Sequence, residues 1–159
     1  MRVGIIGTGA ISHKHAQAYR NIGFDIAAAC DSAPGRAAEF CAQYGGEAVA
    51  TWQDLCRHPK VDFVDVCTFP DFRLQPIEIC AQTGQHVQVQ KPIATTIDTA
   101  RAMIETARKG GIVTGCVSPP RLEHSSRFPP KANPGRRPGQ HPEVQGSGNS
   151  LRATPPIPR

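Results

Sequence analysis

Two features near the N-terminus could together hold a phosphate-bearing ligand. Gly7-Thr8-Gly9-Ala10-Ile11-Ser12 follows the apolar run Arg2–Ile6 and precedes a segment of helical spacing. In a strand–turn–helix unit, Gly7 permits the tight turn, and Gly9 lets a pyrophosphate approach the backbone N–H groups where the helix starts. Thr8, Ala10 and Ile11 complete that cradle. Ser12 stands where the dinucleotide fingerprint has a third glycine, and its small side chain still permits close helix–strand packing. Asp31 ends the next apolar run, where a carboxylate accepts ribose hydroxyls. It also repels a 2′-phosphate, so NAD is favoured and NADP remains the alternative cofactor. Arg36 is either a ligand for an anionic group or a solvated helix residue. By itself the glycine pattern is also compatible with a plain βα turn, and Asp31 tips the reading toward a dinucleotide site.

The elements that must position these residues alternate. Arg2–Ile6 reads as a strand, followed by Ile11, His15, Ala18, Tyr19 and Ile22 at helical spacing. Phe24–Cys30 is the next strand. Ser32 is an N-cap candidate with Pro34 in the first turn, and Ala37, Phe40, Cys41 and Tyr44 form one helix face ended by Gly45-Gly46. A short strand near Glu47–Ala50 leads to the cap signature Thr51-Trp52-Gln53-Asp54. Asp62–Cys67 is a further strand, Leu74, Ile77 and Ala81 mark a helix ended by Gly84, and His86–Val89 is strand-like. Thr95-x-x-Asp98 predicts a cap for a helix with Ala100, Met103, Ile104 and Ala107 inward, and Ile112–Val117 closes the series. Continuous apolar strands alternating with helices predict an α/β, Rossmann-type, doubly wound parallel sheet over residues 1–118.

Charge and composition divide the chain at the same place. Net charge is +5, yet residues 1–118 hold eleven basic and eleven acidic residues, whereas 119–159 hold seven basic and two acidic. The excess therefore gives no argument that the predicted domain binds nucleic acid or an anionic membrane. Ten of the fifteen prolines fall in 119–159, where apolar side chains are too few to offset chain entropy, so that segment is expected to be a disordered basic tail. The six cysteines form no C-x-x-C pair and read as small buried hydrophobes, which suits a reducing cytosol. No secretory segment is expected at the N-terminus, and no apolar run is long enough to span a membrane. His13 and His15, two apart on a helix, point in different directions. No carboxylate or thiol is seen to complete a set, so no metal is expected and His15 is assigned a packing role.

These residues resemble the glucose–fructose oxidoreductase / inositol dehydrogenase (Gfo/Idh/MocA) family over about residues 1–118. The likeness rests on Gly7–Ser12 with His15, on Asp31, on Asp62-x-Val64-x-Val66-Cys67-Thr68 and on Gly84-Gln85-His86-Val87. Its most specific part is Gln90-Lys91-Pro92-Ile93-Ala94, similar to the family's Glu-Lys-Pro signature. The resemblance implies that Lys91 is the catalytic lysine. Physically, an ammonium beyond a strand's C-terminal end can hydrogen-bond a substrate hydroxyl and stabilise developing alkoxide. Pro92 stiffens the backbone that aims it. An isolated lysine in a βα loop would otherwise read as solvated. Gln90 replaces the family's usual glutamate and removes a charge beside Lys91. Thr68-Phe69-Pro70 matches the family's Thr-x-Pro segment, and Arg73 stands where many members carry histidine. Arg73 either contacts cofactor or substrate or solvates a helix end.

The implied parent activity is hydride transfer between NAD(P) and a secondary alcohol of a sugar or cyclitol, in a homo-oligomeric cytoplasmic enzyme. The family's second, substrate-binding domain has no counterpart in residues 119–159, and the expectation is a reading frame disrupted near Ser118. The chain is thus read as binding the dinucleotide with turnover in doubt. The rivals are a non-catalytic dinucleotide-binding module and, on the basic tail, contact with RNA or another polyanion. The tail's single aromatic, Phe128, disfavours the last of these.

Overall fold

In the structure, a computed structural model describing residues 1–117, the strand–helix alternation becomes six strands and five helices. In chain order they are β1 (Arg2–Ile6), α1 (Ala10–Asn21), β2 (Asp25–Cys30), α2 (Arg36–Tyr44), β3 (Glu47–Ala48) and α3 (Trp52–Leu55). There follow β4 (Phe63–Val66), a 3-10 turn (Pro70–Phe72), α4 (Leu74–Thr83), β5 (His86–Gln90), α5 (Ile97–Lys109) and β6 (Thr114–Val117). All neighbouring strands pair in parallel, in the order β3-β2-β1-β4-β5-β6. The expected α/β doubly wound sheet is therefore the fold. The expectation for the tail lies outside the described residues.

Parallel pairing forces crossovers onto the sheet faces, and two cores result. One packs Val3, Ile5, Ile26 and Ala29 against Ala16 and Tyr19 of α1 and Phe40 of α2. The other packs Ile6, Val64, Val66, Val87 and Val89 against Leu55, Ile77 and Met103 of the remaining helices. Each fully buried aliphatic chain contributes about 1.5–3 kcal/mol. The strand order reverses between β1 and β4, leaving a crevice at their C-terminal ends where open α/β sheets take ligands.

Several local expectations need correction. The second helix begins at Arg36, with Gly35 in left-handed conformation at its N-cap, rather than at Ser32. The Asp31 carboxylate accepts the Ala33 N–H at 2.9 Å, which holds Ser32 and Ala33 in a turn outside the helix. The last helix is capped by Thr96, whose hydroxyl accepts the Thr99 N–H at 3.1 Å, not by Thr95. Only the Thr51 cap falls where expected, accepting from the Asp54 N–H. Along α1 the buried residues are Ser12, Ala16 and Tyr19, while Ala18 and Ile22 face outward; on α5, Ile104 is exposed. The core face of α1 is taken by Ser12, Ala16 and Tyr19, and that of α5 by Met103 and Ala107.

Candidate functional site

The crevice is built from the ends of β1, β2, β4 and β5. Cys67 N–H donates to the Ile6 carbonyl at 2.8 Å and Gly7 N–H to the Cys30 carbonyl at 2.9 Å, which brings three strand ends together. Gly7 sits at φ +87°, and a Cβ there would lie 3.0 Å from Thr68 Cγ2. Only glycine fits both constraints. Gly9 caps α1 with no side chain covering the helix N-terminus, and a Cβ on it would meet nothing nearer than the Arg36 guanidinium at 3.8 Å. The amides of Ala10 and Ile11, in the first turn, therefore face open space with the positive end of the helix dipole behind them. Ser12 is fully buried, its hydroxyl donating to the Gly9 carbonyl at 2.6 Å, consistent with close packing at the third fingerprint position.

Asp31 does more than await a ribose. Its Oδ2 accepts the Thr8 N–H at 2.7 Å and the Thr8 hydroxyl at 2.9 Å, and its Oδ1 accepts the Ala33 N–H. Burial acts to raise its pKa, but the Ala33 and Thr8 hydrogen bonds and the Arg36 charge outweigh burial and hold the carboxyl below its ordinary value. Arg36 Nη1 is 4.0 Å from Oδ1, and Nη2 reaches the Thr8 carbonyl at 3.5 Å. Oδ1 keeps acceptor capacity for an incoming hydroxyl.

On the far side, the Gln90 side chain at the end of β5 is buried and its Oε1 accepts the Lys91 N–H at 2.7 Å. Lys91 itself is exposed and joined to Pro92 through a cis peptide. Arg73 neither solvates a helix end nor extends freely into the cleft. It is 1 % exposed, and its guanidinium donates to the backbone carbonyls of Gln90, Pro92 and Thr68, the last at 2.7 Å. Burial lowers its pKa from the ordinary arginine value. It ties the loops after β4 and β5 together.

These groups surround one cleft of about 910 Å³. Gly7, Gly9, Ala10, Ile11, Asp31 and Arg36 line one part of it, and Thr68, Pro70, Arg73, Gln90, Lys91 and Pro92 line the rest. Of the residues singled out from the sequence, Thr8 alone is turned away, buried against Asp31. A second hollow of about 570 Å³ is lined solely by residues of α5 and touches none of them. Sequence reasoning does not reach Trp52 and Phe72, which meet edge to face at 5.3 Å and line the same cleft. Their types signal only core packing.

The expectation that nothing accompanies His15 is also corrected. His15 Nδ1 lies 2.7 Å from Asp65 Oδ2 and 3.6 Å from Cys67 Sγ, and these three residues could together approach a metal ion. Hydrogen bonding already engages the cluster, because Asp65 Oδ2 also accepts the Tyr19 hydroxyl at 2.7 Å. Burial, followed by the Asp65 carboxylate, pushes the Cys67 thiol well above its ordinary pKa. The signal was Asp65 itself, a carboxylate between Val64 and Val66 in an apolar strand, which cannot be buried without partners. His13 points elsewhere, against Phe40 and Tyr44.

The cleft fits a dinucleotide. A glycine turn opens onto a helix N-terminus, a carboxylate with spare capacity stands at the end of β2, and the buried Thr68 hydroxyl lacks a partner among the described residues. Comparison with known proteins agrees. Residues 1–116 match the family model of Gfo/Idh/MocA, described as an oxidoreductase family with an NAD-binding Rossmann fold. The chain is 37% identical over 119 residues to D-glucoside 3-dehydrogenase of Escherichia coli, covering 71% of this chain and 33% of that protein. It is 30% identical over 132 residues to 4-carboxy-2-hydroxymuconate-6-semialdehyde dehydrogenase of a Sphingobium species, covering 82% and 40% respectively. An NAD binding oxidoreductase from Klebsiella pneumoniae superposes with TM-score 0.68 at 27% identity, over 74% of this chain and 34% of that one. The chain thus spans between a third and two fifths of the length of these relatives. No helix among the described residues is long and apolar enough to cross a membrane. By its fold, its glycine turn and its family match, the chain belongs to the Gfo/Idh/MocA oxidoreductases and carries their NAD(P)-binding Rossmann domain.

Proposed function

We propose that the chain binds NAD(H) in the 910 Å³ cleft, in preference to NADP(H), as the cofactor-holding part of a dehydrogenase for a secondary alcohol of a sugar or cyclitol. The observation that carries this reading is the convergence on one cleft of the Gly7–Gly9 turn, Asp31 and Lys91. The α1 amides and helix dipole take the pyrophosphate, Asp31 Oδ1 accepts a ribose hydroxyl, and Asp31 repels a 2′-phosphate. The cofactor, when bound, supplies the hydride acceptor. Lys91, exposed at the rim, is the group that donates a hydrogen bond to the substrate hydroxyl and steadies negative charge developing on it. The D-glucoside 3-dehydrogenase likeness supports a sugar or polyol as the alcohol.

The described residues form a single six-stranded sheet and build no second domain beside Lys91. Orientation of a substrate against the cofactor accounts for much of an enzyme's rate. The reading for this chain is binding, with residues 1–118 as the binding domain. The full chain mixed with NAD and a panel of polyols is expected to yield little NADH by absorbance, while NAD raises the thermal midpoint. Ligand at about a hundred times its Kd stabilises by roughly 2.7 kcal/mol. Steady NADH production would replace binding with turnover, and no thermal shift with either dinucleotide would remove the reading.

A further inference from the structure

Beneath the cleft, a string of side chains joins the middle of the sheet to the Lys91 backbone. Gln88 Nε2 donates to the Tyr19 hydroxyl at 2.8 Å, Tyr19 donates to Asp65 Oδ2, and Asp65 Oδ2 meets His15 Nδ1. His15 Nε2 is 3.2 Å from Gln90 Nε2, and Gln90 Oε1 accepts the Lys91 N–H. The proton positions close without choice. The Lys91 amide is a donor only, so the Gln90 atom facing it is the carbonyl oxygen and the atom facing His15 is the amide NH₂. An NH₂ donates, so His15 Nε2 accepts and carries no proton. The ring proton therefore sits on Nδ1 and is given to Asp65. Gln88 likewise donates to the tyrosine oxygen, leaving the Tyr19 proton for Asp65.

We propose that Gln90 is a positioning residue. It selects the His15 tautomer with its proton on Nδ1, and it anchors the Lys91 amide to that buried string, fixing the backbone that presents the Lys91 ammonium to the cleft. The role assigned to the ammonium rests on the proposed function; the tautomer and the anchoring do not. Glutamate in place of Gln90 has no proton to offer Nε2. It would still accept the Lys91 N–H, but its second oxygen, when ionised, can only accept and therefore calls for an N–H at Nε2 in addition to the one given to Asp65.

The test uses the ligand-free full chain, ¹⁵N-labelled, with imidazole nitrogen shifts and amide hydrogen exchange read by NMR. The wild type is expected to show a protonated Nδ1 and a bare Nε2 for His15, with a protected Lys91 amide. Gln90→Glu is expected to protonate both ring nitrogens and to keep the Lys91 amide protected. Gln90→Leu is expected to speed Lys91 exchange at least tenfold while the Val87 and Val89 amides within β5 are unchanged, which controls for folding. A wild-type His15 protonated on Nε2 would overturn the tautomer, and unchanged Lys91 exchange in Gln90→Leu would overturn the anchoring. Because no dinucleotide is present, failure of NADH to bind would leave these outcomes untouched and would count against the proposed function alone.

Discussion

Asp31 grips Thr8 twice, taking its backbone N–H at 2.7 Å and its hydroxyl at 2.9 Å through the same Oδ2. The end of β2 thereby sets the shape of the glycine turn that follows β1. Asp31→Ala is expected to cost about 2 kcal/mol of stability, since hydrogen bonds to a charged group contribute about 1.5–3 kcal/mol each and some are replaced by water. It should also weaken NADH binding by about tenfold, equivalent to about 1.4 kcal/mol. Denaturant melts and a fluorescence titration read the two effects separately.

The same contact carries a pH dependence of known sign. The folded Asp31 carboxyl lies below its ordinary value, so its stabilisation is fully present above the unfolded value of about 3.9 and is lost as pH falls through the folded value. Asp62, held at about 2 by hydrogen bonding to Arg2, acts in the same direction. Asp31→Asn is therefore expected to flatten part of the loss of stability below about pH 4 and to leave the Asp62 part in place. Denaturation midpoints across the acid range, wild type against variant, check this.

Gly7 and Gly9 should respond differently to the same substitution. Gly7→Ala places a Cβ at 3.0 Å from Thr68 Cγ2 with φ at +87°, and is expected to destabilise by about 1–3 kcal/mol. Gly9→Ala meets no protein atom nearer than 3.8 Å, so its melting temperature should hold while NADH affinity falls at least tenfold. Equal loss of stability in the two variants would show that the open space at Gly9 is not reserved for a ligand.

Arg73→Leu removes the donors to three carbonyls, of which that of Gln90 is buried and those of Pro92 and Thr68 are part-buried. The expected cost is about 3 kcal/mol or more. Arg73→Lys, whose shorter ammonium cannot reach in the same fork, should recover only part of it. Thermal denaturation ranks the three proteins.

What was legible from the residues follows their local physics. Strand–helix alternation, the Thr51 cap and the stop at Gly84 depend on neighbours in the chain, and they stand in the structure as expected. The phosphate turn and Asp31 were legible because their spacing is set by one strand–helix–strand unit. Three things were not. Ser32 loses the cap because the neighbouring Asp31 carboxylate, fixed by Thr8 of the turn after β1, takes the Ala33 N–H. Arg73 reads as a surface cation, and only the meeting of the loops after β4 and β5 buries it. The His15–Asp65 pair joins residues fifty apart, through a contact made when α1 packs on the sheet.

The central claim, a dinucleotide in the cleft, has a built-in reporter. Trp52 is the chain's single tryptophan and lines the cleft that also holds Gly7 and Asp31. Titration of the full chain with NADH is predicted to quench Trp52 emission saturably, with sensitised nicotinamide emission rising in step and NADPH effective only at higher concentration. No saturable change up to millimolar NADH or NADPH, with circular dichroism showing the domain folded, would contradict it.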